Sequence, residues 1–294
     1  MKALPCIVNP VSRGGRSLPP TELLEQAAGE LGWRLEWWAT VAPGHATELA
    51  AKAAADRHPV VGVWGGDGTY NETALGLLNA ETALLILPGG TTSVLAFELG
   101  VPRDPVEALR SQLLGEARAM AAARTDRGQV FLLMLSVGPD SVILVNVPAR
   151  LKRRLGKVGI GVQAVVEFLR GNLPRFRVRL DGGEIDASWC IVGNARCYGG
   201  PFHATPGADP FSPGLEVVTL NRHGRLAVVP FFFAIGRGTH LARRGVARQP
   251  ARAVALEGPE TVPYQLDGDP AGYLPVRAVA TDDTVRVLVP TGGR

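Results

Sequence analysis

Val61-Gly62-Val63-Trp64-Gly65-Gly66-Asp67-Gly68-Thr69-Tyr70-Asn71-Glu72 runs an apolar strand straight into a glycine turn and then into a helix-forming stretch. Gly65, Gly66 and Gly68 lack a Cβ, so the backbone there can turn tightly and present its N–H groups to an anion. The helix expected to start near Tyr70 adds the positive end of its dipole. Asp67 sits among these amides, where its carboxylate would repel a bare phosphate. A cation between the two removes the conflict, so the stretch points to a nucleotide carried with Mg2+.

Outward from this stretch, residues 1–124 alternate strand and helix. Ala3–Val8, Arg34–Trp38, Val60–Trp64 and Ala83–Leu87 read as strands. Thr21–Leu31, with Thr21 as N-cap, His45–Arg57, Asn71–Leu78, Thr92–Leu99 and Pro105–Leu114 read as helices. That order predicts a mostly parallel sheet with helices on both faces. After Arg124 the composition turns to β-rich segments broken by Gly, Pro and Asp: Val130–Ser136, Ser141–Val147, Arg175–Leu180, Ala187–Val192, Leu215–Leu220, Ala253–Leu256, Val276–Ala280 and Val285–Val289. Helices are expected near Ile160–Arg170 and Arg225–Gly236. The expected fold is therefore an α/β nucleotide-binding domain over 1–124 and a β-sandwich substrate domain over 125–294, with the active site in the cleft between them.

Composition narrows the class. With 46% hydrophobic and 20% charged residues the chain is a globular protein of ordinary make-up, and 294 residues suffice for two cores. A net charge of +4 does not resemble a nucleic-acid-binding arm, and no nucleic-acid partner is expected. Cys6, Cys190 and Cys197 are too few and too scattered for a disulfide framework or a zinc site, which fits a reducing, cytoplasmic compartment. No signal peptide is evident, and the longest apolar run, Leu226–Ile235, is too short to span a bilayer and contains Pro230.

Three glycine-bearing loops follow strands of the first domain: Asn9–Arg16, Gly65–Asn71 and Pro88–Thr92. In a parallel sheet the C-terminal strand ends share one edge, where ligands bind. Neither Gly-x-x-x-x-Gly-Lys-Ser/Thr nor an opening Gly-x-Gly-x-x-Gly is present, which disfavours P-loop and Rossmann dinucleotide sites.

The segments Asn9-Pro10-x-Ser12, Gly65-Gly66-Asp67-Gly68-Thr69-x-Asn71-Glu72 and Leu87-Pro88-Gly89-Gly90-Thr91 resemble the diacylglycerol kinase catalytic family, in particular its bacterial lipid kinases. Gly138-x-Asp140, Gly193-Asn194, Pro206-x-Ala208, Gly238-Thr239-His240 and Leu266-Asp267-Gly268-Asp269 follow in that family's order. Gly-Gly-Asp-Gly is shared with NAD kinases and phosphofructokinases, whereas Asn71-Glu72 and the late Asp-Gly-acid motif favour lipid kinases. The resemblance implies an ATP- and Mg2+-dependent kinase acting on the hydroxyl of diacylglycerol, a sphingoid base or a ceramide-like lipid. It places ATP against Thr40, Gly65, Gly66, Asp67, Gly68, Thr69, Asn71, Glu72 and Thr91, with Asn9, Ser12, Arg13 and Arg16 near the phosphates. Asp269 would be the base, and Asp67, with Asp140, would orient the metal or its waters.

The chain departs from the family's pattern at three places. Asp269 replaces the usual glutamate, a side chain shorter by one methylene. Ser93-Val94 stand where many members have Asn-Asp, removing polar contacts. Pro213-Gly214 replaces a metal-binding Asp-Gly; with Asp209 as the nearest substitute, a second metal site is not expected. The alternatives are a kinase for a soluble alcohol such as NAD, and a degenerate member that binds nucleotide or lipid without turnover.

A lipid kinase must meet a bilayer, so transient peripheral contact with the inner membrane surface is expected, and a homodimer is compatible with the sequence. The basic run Arg150, Lys152, Arg153, Arg154 and Lys157 suits anionic head groups as well as it suits solvent. Phe231-Phe232-Phe233 reads as a core helix face. His45 reads as a helix-start residue, and Trp33, Trp37 and Trp38 as packing under the sheet.

Overall fold

The protein is described from a computed structural model covering residues 1–11, 18–90, 92–147 and 174–291. Its chain forms two compact units, one of Met1–Ala121 with Asp283–Arg294 and one of Ala122–Asp282. The division therefore differs from a single boundary at 124. The physical reason is one long strand: Val276–Ala280 and Val285–Val289, read as two strands, are a single strand β18 (Val276–Val289), and its last residues return to the first unit.

The first unit is built on β1 (Lys2–Val8), β2 (Trp33–Ala39), β3 (Val60–Gly65) and β4 (Ala83–Pro88), in the order β2-β1-β3-β4 followed by the end of β18. Every one of these pairings is parallel. Its helices are α1 (Thr21–Glu30), α2 (His45–Ala55), α3 (Asp67–Gly76), α4 (Val94–Glu98) and α5 (Pro105–Leu113). Side chains alternate across a strand, so Leu4, Cys6, Val8, Val60, Trp64, Leu85 and Leu87 share one face, where Leu24, Ala27 and Ala28 of α1 and Leu109 of α5 pack on them. The helices α2 and α3 are not in that cluster; they touch each other, β1 and β3. Thus both faces are covered, as the βα alternation predicts.

Details of capping differ from expectation. Pro20, not Thr21, precedes α1, and no side chain caps it. Asp104 caps α5 by accepting the N–H groups of Val106 and Glu107. On edge strand β2, Lys2 lies over Trp33 and Lys52 over Trp38, while Trp37 donates to Glu25. The three tryptophans are only half-buried: Trp33 and Trp37 pack against the core from one side, and lysines lie over the rings of Trp33 and Trp38.

The chain enters the second unit within β5 (Glu116–Thr125), which pairs with β6 (Val130–Phe131); β11 (Cys197–Tyr198) and β12 (Phe202–His203) form a short hairpin of their own. There β7 (Met134–Val137), β10 (Trp189–Gly193), β13 (Leu215–Leu220), β14 (Val246–Ala251), β16 (Pro263–Leu266) and β17 (Asp269–Tyr273) form one antiparallel sheet in the order β14-β13-β10-β7-β16-β17. Within this unit β8 (Phe176–Leu180), β9 (Gly183–Ala187) and β15 (Ala253–Glu257) pair antiparallel in turn with the first half of β18. A single core joins the two layers, with Val178, Val254, Leu256 and Val276 from one and Leu135, Cys190, Val217 and Tyr264 from the other. This is the expected β-sandwich.

Two readings of this unit change. Ser141–Val147, read as a strand from its β-branched residues, is helix α6 (Pro139–Asn146). Pro139 fixes the first helical φ, and the Ser141 hydroxyl accepts the Gly138 N–H at 3.2 Å and donates to the Pro263 carbonyl at 2.8 Å. The second is α7 (Arg225–Gly236), which buries Val228, Phe231, Ala234 and Ile235 but leaves Phe232 and Phe233 more than half exposed. The phenylalanine triplet is therefore not a core face. The basic run at 150–157 and the helix expected near 160–170 lie outside the described residues.

Candidate active site

The four strand ends of the first unit are tied together by their own backbones. Asn9 N–H donates to the Trp64 carbonyl, Thr40 N–H to Val8, and Gly89 N–H to Gly65. A Cβ on Gly90 would lie 2.7 Å from the Gly66 Cα, and one on Gly65 would lie 2.8 Å from the Thr69 side chain. Gly66 itself is extended, with φ −112°. These glycines therefore answer to close approach of two loops rather than to left-handed turns. Tyr70, fully buried, sends its hydroxyl to the carbonyls of Gly65 at 2.9 Å and Leu87 at 3.2 Å, and Ser93 Oγ lies 3.4 Å away. Ser93, at φ 50°, keeps a polar contact at a position where the sequence pointed to a loss.

Helix α3 begins at Asp67, three residues before the expected start near Tyr70. Asp67 and Asn71 are thus four apart on one helical face. Asp67 Oδ1 accepts the Leu95 N–H at 3.2 Å, satisfying one free donor at the start of α4. Asn71 Oδ1 is buried and meets no hydrogen-bond donor. Asn9 Nδ2 donates to Thr69 Oγ1 at 3.0 Å, which draws the loop after β1 to α3. The Glu72 carbonyl accepts the Thr47 hydroxyl at 2.8 Å and so joins α3 to α2. Asn9, Thr40, Gly65, Gly66, Asp67, Gly68, Thr69, Asn71 and Glu72 accordingly belong to one edge of one unit. Ser12, Arg13, Arg16 and Thr91 lie outside the described residues. His45 opens α2, with its Nδ1 accepting the Val41 N–H.

The residues fit a hard cation through oxygen chemistry. Mg2+ takes one or two protein oxygens and completes its shell with phosphate and water. Asp67 would supply a carboxylate to such an ion, and the unmatched Asn71 oxygen would accept from a metal-bound water. Among the described residues no group of three His, Cys, Asp or Glu side chains could hold a metal.

In the second unit, Asp267 and Gly268 take φ of 51° and 93° and close the β16–β17 hairpin as a two-residue turn. Asp269 is the exposed first residue of β17. What fixes the turn is the Asp267 carboxylate, to which the sequence reading gave no role. It is buried and accepts the N–H groups of Leu132, Leu133 and Met134, each at 2.8 Å. Gln265 Oε1 accepts the Gly268 N–H at 2.7 Å, and its Nε2 donates to Asp140 Oδ2 at 3.4 Å. Asp140 and the Asp269 hairpin therefore share one polar cluster. Burial pushes the Asp140 carboxyl above its ordinary range, while Ser136, Tyr198, the Ser141 N–H and Gln265 pull it back. Burial also pushes the Cys6 and Cys190 thiols far up, so neither is a nucleophile at neutral pH. Asp209 accepts the Phe211 N–H in its own turn.

Gln112 was likewise not legible as a supporting residue. Fully buried on α5, it accepts the Ile86 N–H at 2.9 Å and donates to the Ile86 carbonyl at 2.8 Å. Its amide thus completes β4 two residues before the loop that carries Pro88 to Gly90.

Comparison with known proteins agrees with both halves. Residues 4–125 match the diacylglycerol kinase catalytic domain, and residues 134–289 match the YegS C-terminal NAD kinase beta sandwich-like domain. The chain is 27% identical to a diacylglycerol kinase of Bacillus subtilis (strain 168), covering 99% of this chain and 97% of that protein. It is 30% identical to a diacylglycerol kinase of Mycobacterium tuberculosis (strain ATCC 25618 / H37Rv), covering 84% and 82% respectively. A crystal structure of a diacylglycerol kinase from Bacillus anthracis str. Sterne shares the fold at a TM-score of 0.69 with 19% identity, covering 100% of this chain and 98% of that one. Another crystal structure from the same organism reaches 0.77 at 24% identity, covering 100% and 96%.

Proposed function

The chain belongs to the diacylglycerol kinase family, and on that premise we propose that it transfers the γ-phosphoryl group of Mg-ATP to the hydroxyl of a membrane lipid, a diacylglycerol, sphingoid base or ceramide-like molecule. Family membership makes it a kinase with an alcohol acceptor. The observation that carries the finer reading is the pair Asp67 and Asn71 on one face of α3, a carboxylate beside an unmatched amide oxygen at a glycine-lined strand edge.

Phosphoryl transfer asks the protein mainly for positioning and for charge. The backbone N–H groups at the start of α3 would hold the phosphates, with Asn9, Thr40 and Thr69 shaping the edge around them. Asp67 would hold Mg2+ directly or through water, and Asn71 would accept from that water. Bound Mg2+ neutralises charge on the transferring group. Asp269, exposed at the tip of a rigid hairpin, would accept the proton of the lipid hydroxyl. Asp140, through Gln265, would position that hairpin.

The test is mass spectrometry of a total lipid extract incubated with the protein and Mg-ATP, followed by radiolabelled ATP offered with single lipids and with NAD. A phosphorylated lipid is expected. Label on NAD and on no lipid would replace the reading with the soluble-alcohol kinase, and nucleotide binding with no label transfer would replace it with a non-catalytic member. Asp67→Asn should lower transfer about a thousandfold. The fold should survive, because the asparagine oxygen can still accept the Leu95 N–H.

A further inference from the structure

We propose that α7 is the element by which this protein docks on an anionic bilayer, with its apolar face in the lipid interface and a rim of arginines on the head groups. The choice of a bilayer rests on the lipid-kinase reading; the geometry is independent of it.

The helix α7 has two apolar faces. One packs inward: Phe231 meets Trp189 edge-on with centroids 5.3 Å apart and stands 5.9 Å from the His240 ring. The other has little cover among the described residues: Leu226 is 95% exposed and Phe233 56%, while Phe232 stacks on Trp189 at 6.4 Å yet stays 54% exposed. Leu226, Val229, Pro230 and Phe233 recur at helical spacing, so they lie on one side. Phe202, 44% exposed, stands beside Gly236 at the helix end and extends the patch. Scattered exposed apolar residues are ordinary, but a four-residue helical strip flanked by the half-exposed rings of Phe232 and Phe202 is not.

Charge selects the occupant. From residue 217 to residue 256 the chain has seven arginines and no Asp or Glu. Arg222, Arg237, Arg243, Arg244 and Arg252 are exposed and make no ion pair among the described residues; Arg248 pairs with the buried Glu216. Four of them, Arg222, Arg237, Arg243 and Arg244, flank the two ends of the helix. Arg237 donates to the Phe233 carbonyl at its C-terminal end. At the other end the Asn221 N–H donates to the Gly245 carbonyl, and the Arg222 side chain lies over Gly245, which brings the Arg243–Arg244 turn beside the loop that leads into the helix. An apolar strip with arginines at both ends, in a stretch of sequence that has no acid, is the pattern of a helix lying in a bilayer interface. A second copy docking α7 on α7 would set the two arginine rims against each other, because a two-fold contact pairs a patch with itself.

Flotation of the full chain with vesicles, without ATP, tests this separately from catalysis. Vesicles of phosphatidylcholine with about 25% phosphatidylglycerol should bind, and pure phosphatidylcholine should bind about tenfold more weakly. Phe232→Ser with Phe233→Ser, and separately Arg243→Gln with Arg244→Gln, should each lower partition about tenfold while circular dichroism and melting temperature stay those of the wild type. As a second probe, Phe233→Trp should be quenched by lipids brominated in the acyl chain. The proposal is overturned if the wild type fails to bind, if both double variants bind like the wild type, if the tryptophan is not quenched, or if the serine variant turns a dimer into a monomer. Failure to phosphorylate any lipid, with vesicle binding intact, would overturn the kinase reading instead.

Discussion

The glycine edge of the first unit and the β16–β17 hairpin of the second each carry an acid singled out for chemistry, but they fix it in opposite ways. At the glycine edge, backbone meets backbone: Gly66 touches Gly90, Gly89 donates to Gly65, and Tyr70 spans two strand ends. Everything needed lies near the motif in sequence or in the next strand. At the hairpin, a buried carboxylate reaches across more than 130 residues to hold three N–H groups of 132–134. One edge is held by the absence of side chains, the other by a single side chain. The first arrangement spreads its strength over many contacts, and the second concentrates it at Asp267.

The comparison breaks first at the hairpin's two aspartates. Asp269→Ala should lower phosphoryl transfer by about a hundredfold or more with the urea midpoint unchanged, because the residue is exposed. Equal activity in label-transfer assays would remove Asp269 from the mechanism. Asp267→Ala should do the reverse in origin: about 3–5 kcal/mol of stability lost by urea unfolding, as three buried donors lose their acceptor, with activity falling as a consequence. Asp267→Asn should recover part of this, since its oxygen can serve Leu133 and Met134 while its NH2 faces the Leu132 N–H. An Asp267→Ala protein as stable as the wild type would show that the hairpin is not held this way.

On the glycine edge the matching probe is Gln112→Leu, which fills a similar volume and strands both polar groups of Ile86. About 2–3 kcal/mol should be lost, again by urea unfolding, and a neutral result would mean that β4 needs no such support. The smallest effect concerns pH. Burial depresses the pKa of His240, whose Nε2 meets the Ala204 carbonyl and whose surroundings include Phe231 and the Glu216 charge. The unfolded chain therefore takes up the proton first, and stability is lost as pH falls below the ordinary histidine value of 6.5. Asp140, with its raised pKa, acts in the opposite direction, so the difference between wild type and His240→Gln isolates the imidazole. That difference should shrink as pH falls from 8 to about 5; a constant difference would mean that His240 does not titrate there.

How much was legible in the chain follows the same contrast. The parallel sheet, the helices α1, α2 and α5 and the loop residues of the glycine edge were readable, because strand, turn and helix follow one another within a few dozen residues. The hairpin turn at Asp267-Gly268 was readable as a turn, since Asp-Gly favours positive φ at both positions. The role of the Asp267 carboxylate was not, because its partners are set by tertiary structure alone. Ser141–Val147 was misread as a strand, because its Val and Ile outweighed the helix start signalled by Pro139 and Ser141. Phe232 and Phe233 were misread as core because composition does not say which faces of an apolar helix find cover. Gln112 gave no signal, since a polar residue on an amphipathic helix ordinarily faces solvent.

One further consequence follows from β18, the 14-residue strand whose first half belongs to one unit and whose second half belongs to the other. On the ribosome β1 to β4 are made early, but the strand that pairs with β4 is made only after the whole of 122–275. Until then β4 keeps an open edge, protected at Ile86 by the Gln112 amide. The sandwich is in effect an insertion that must be completed before the sheet it interrupts can close, so the sheet behind the glycine edge reaches its finished form last. A stop anywhere before Val285 would leave the early half of the protein, with its whole glycine edge already translated, unable to finish its own sheet.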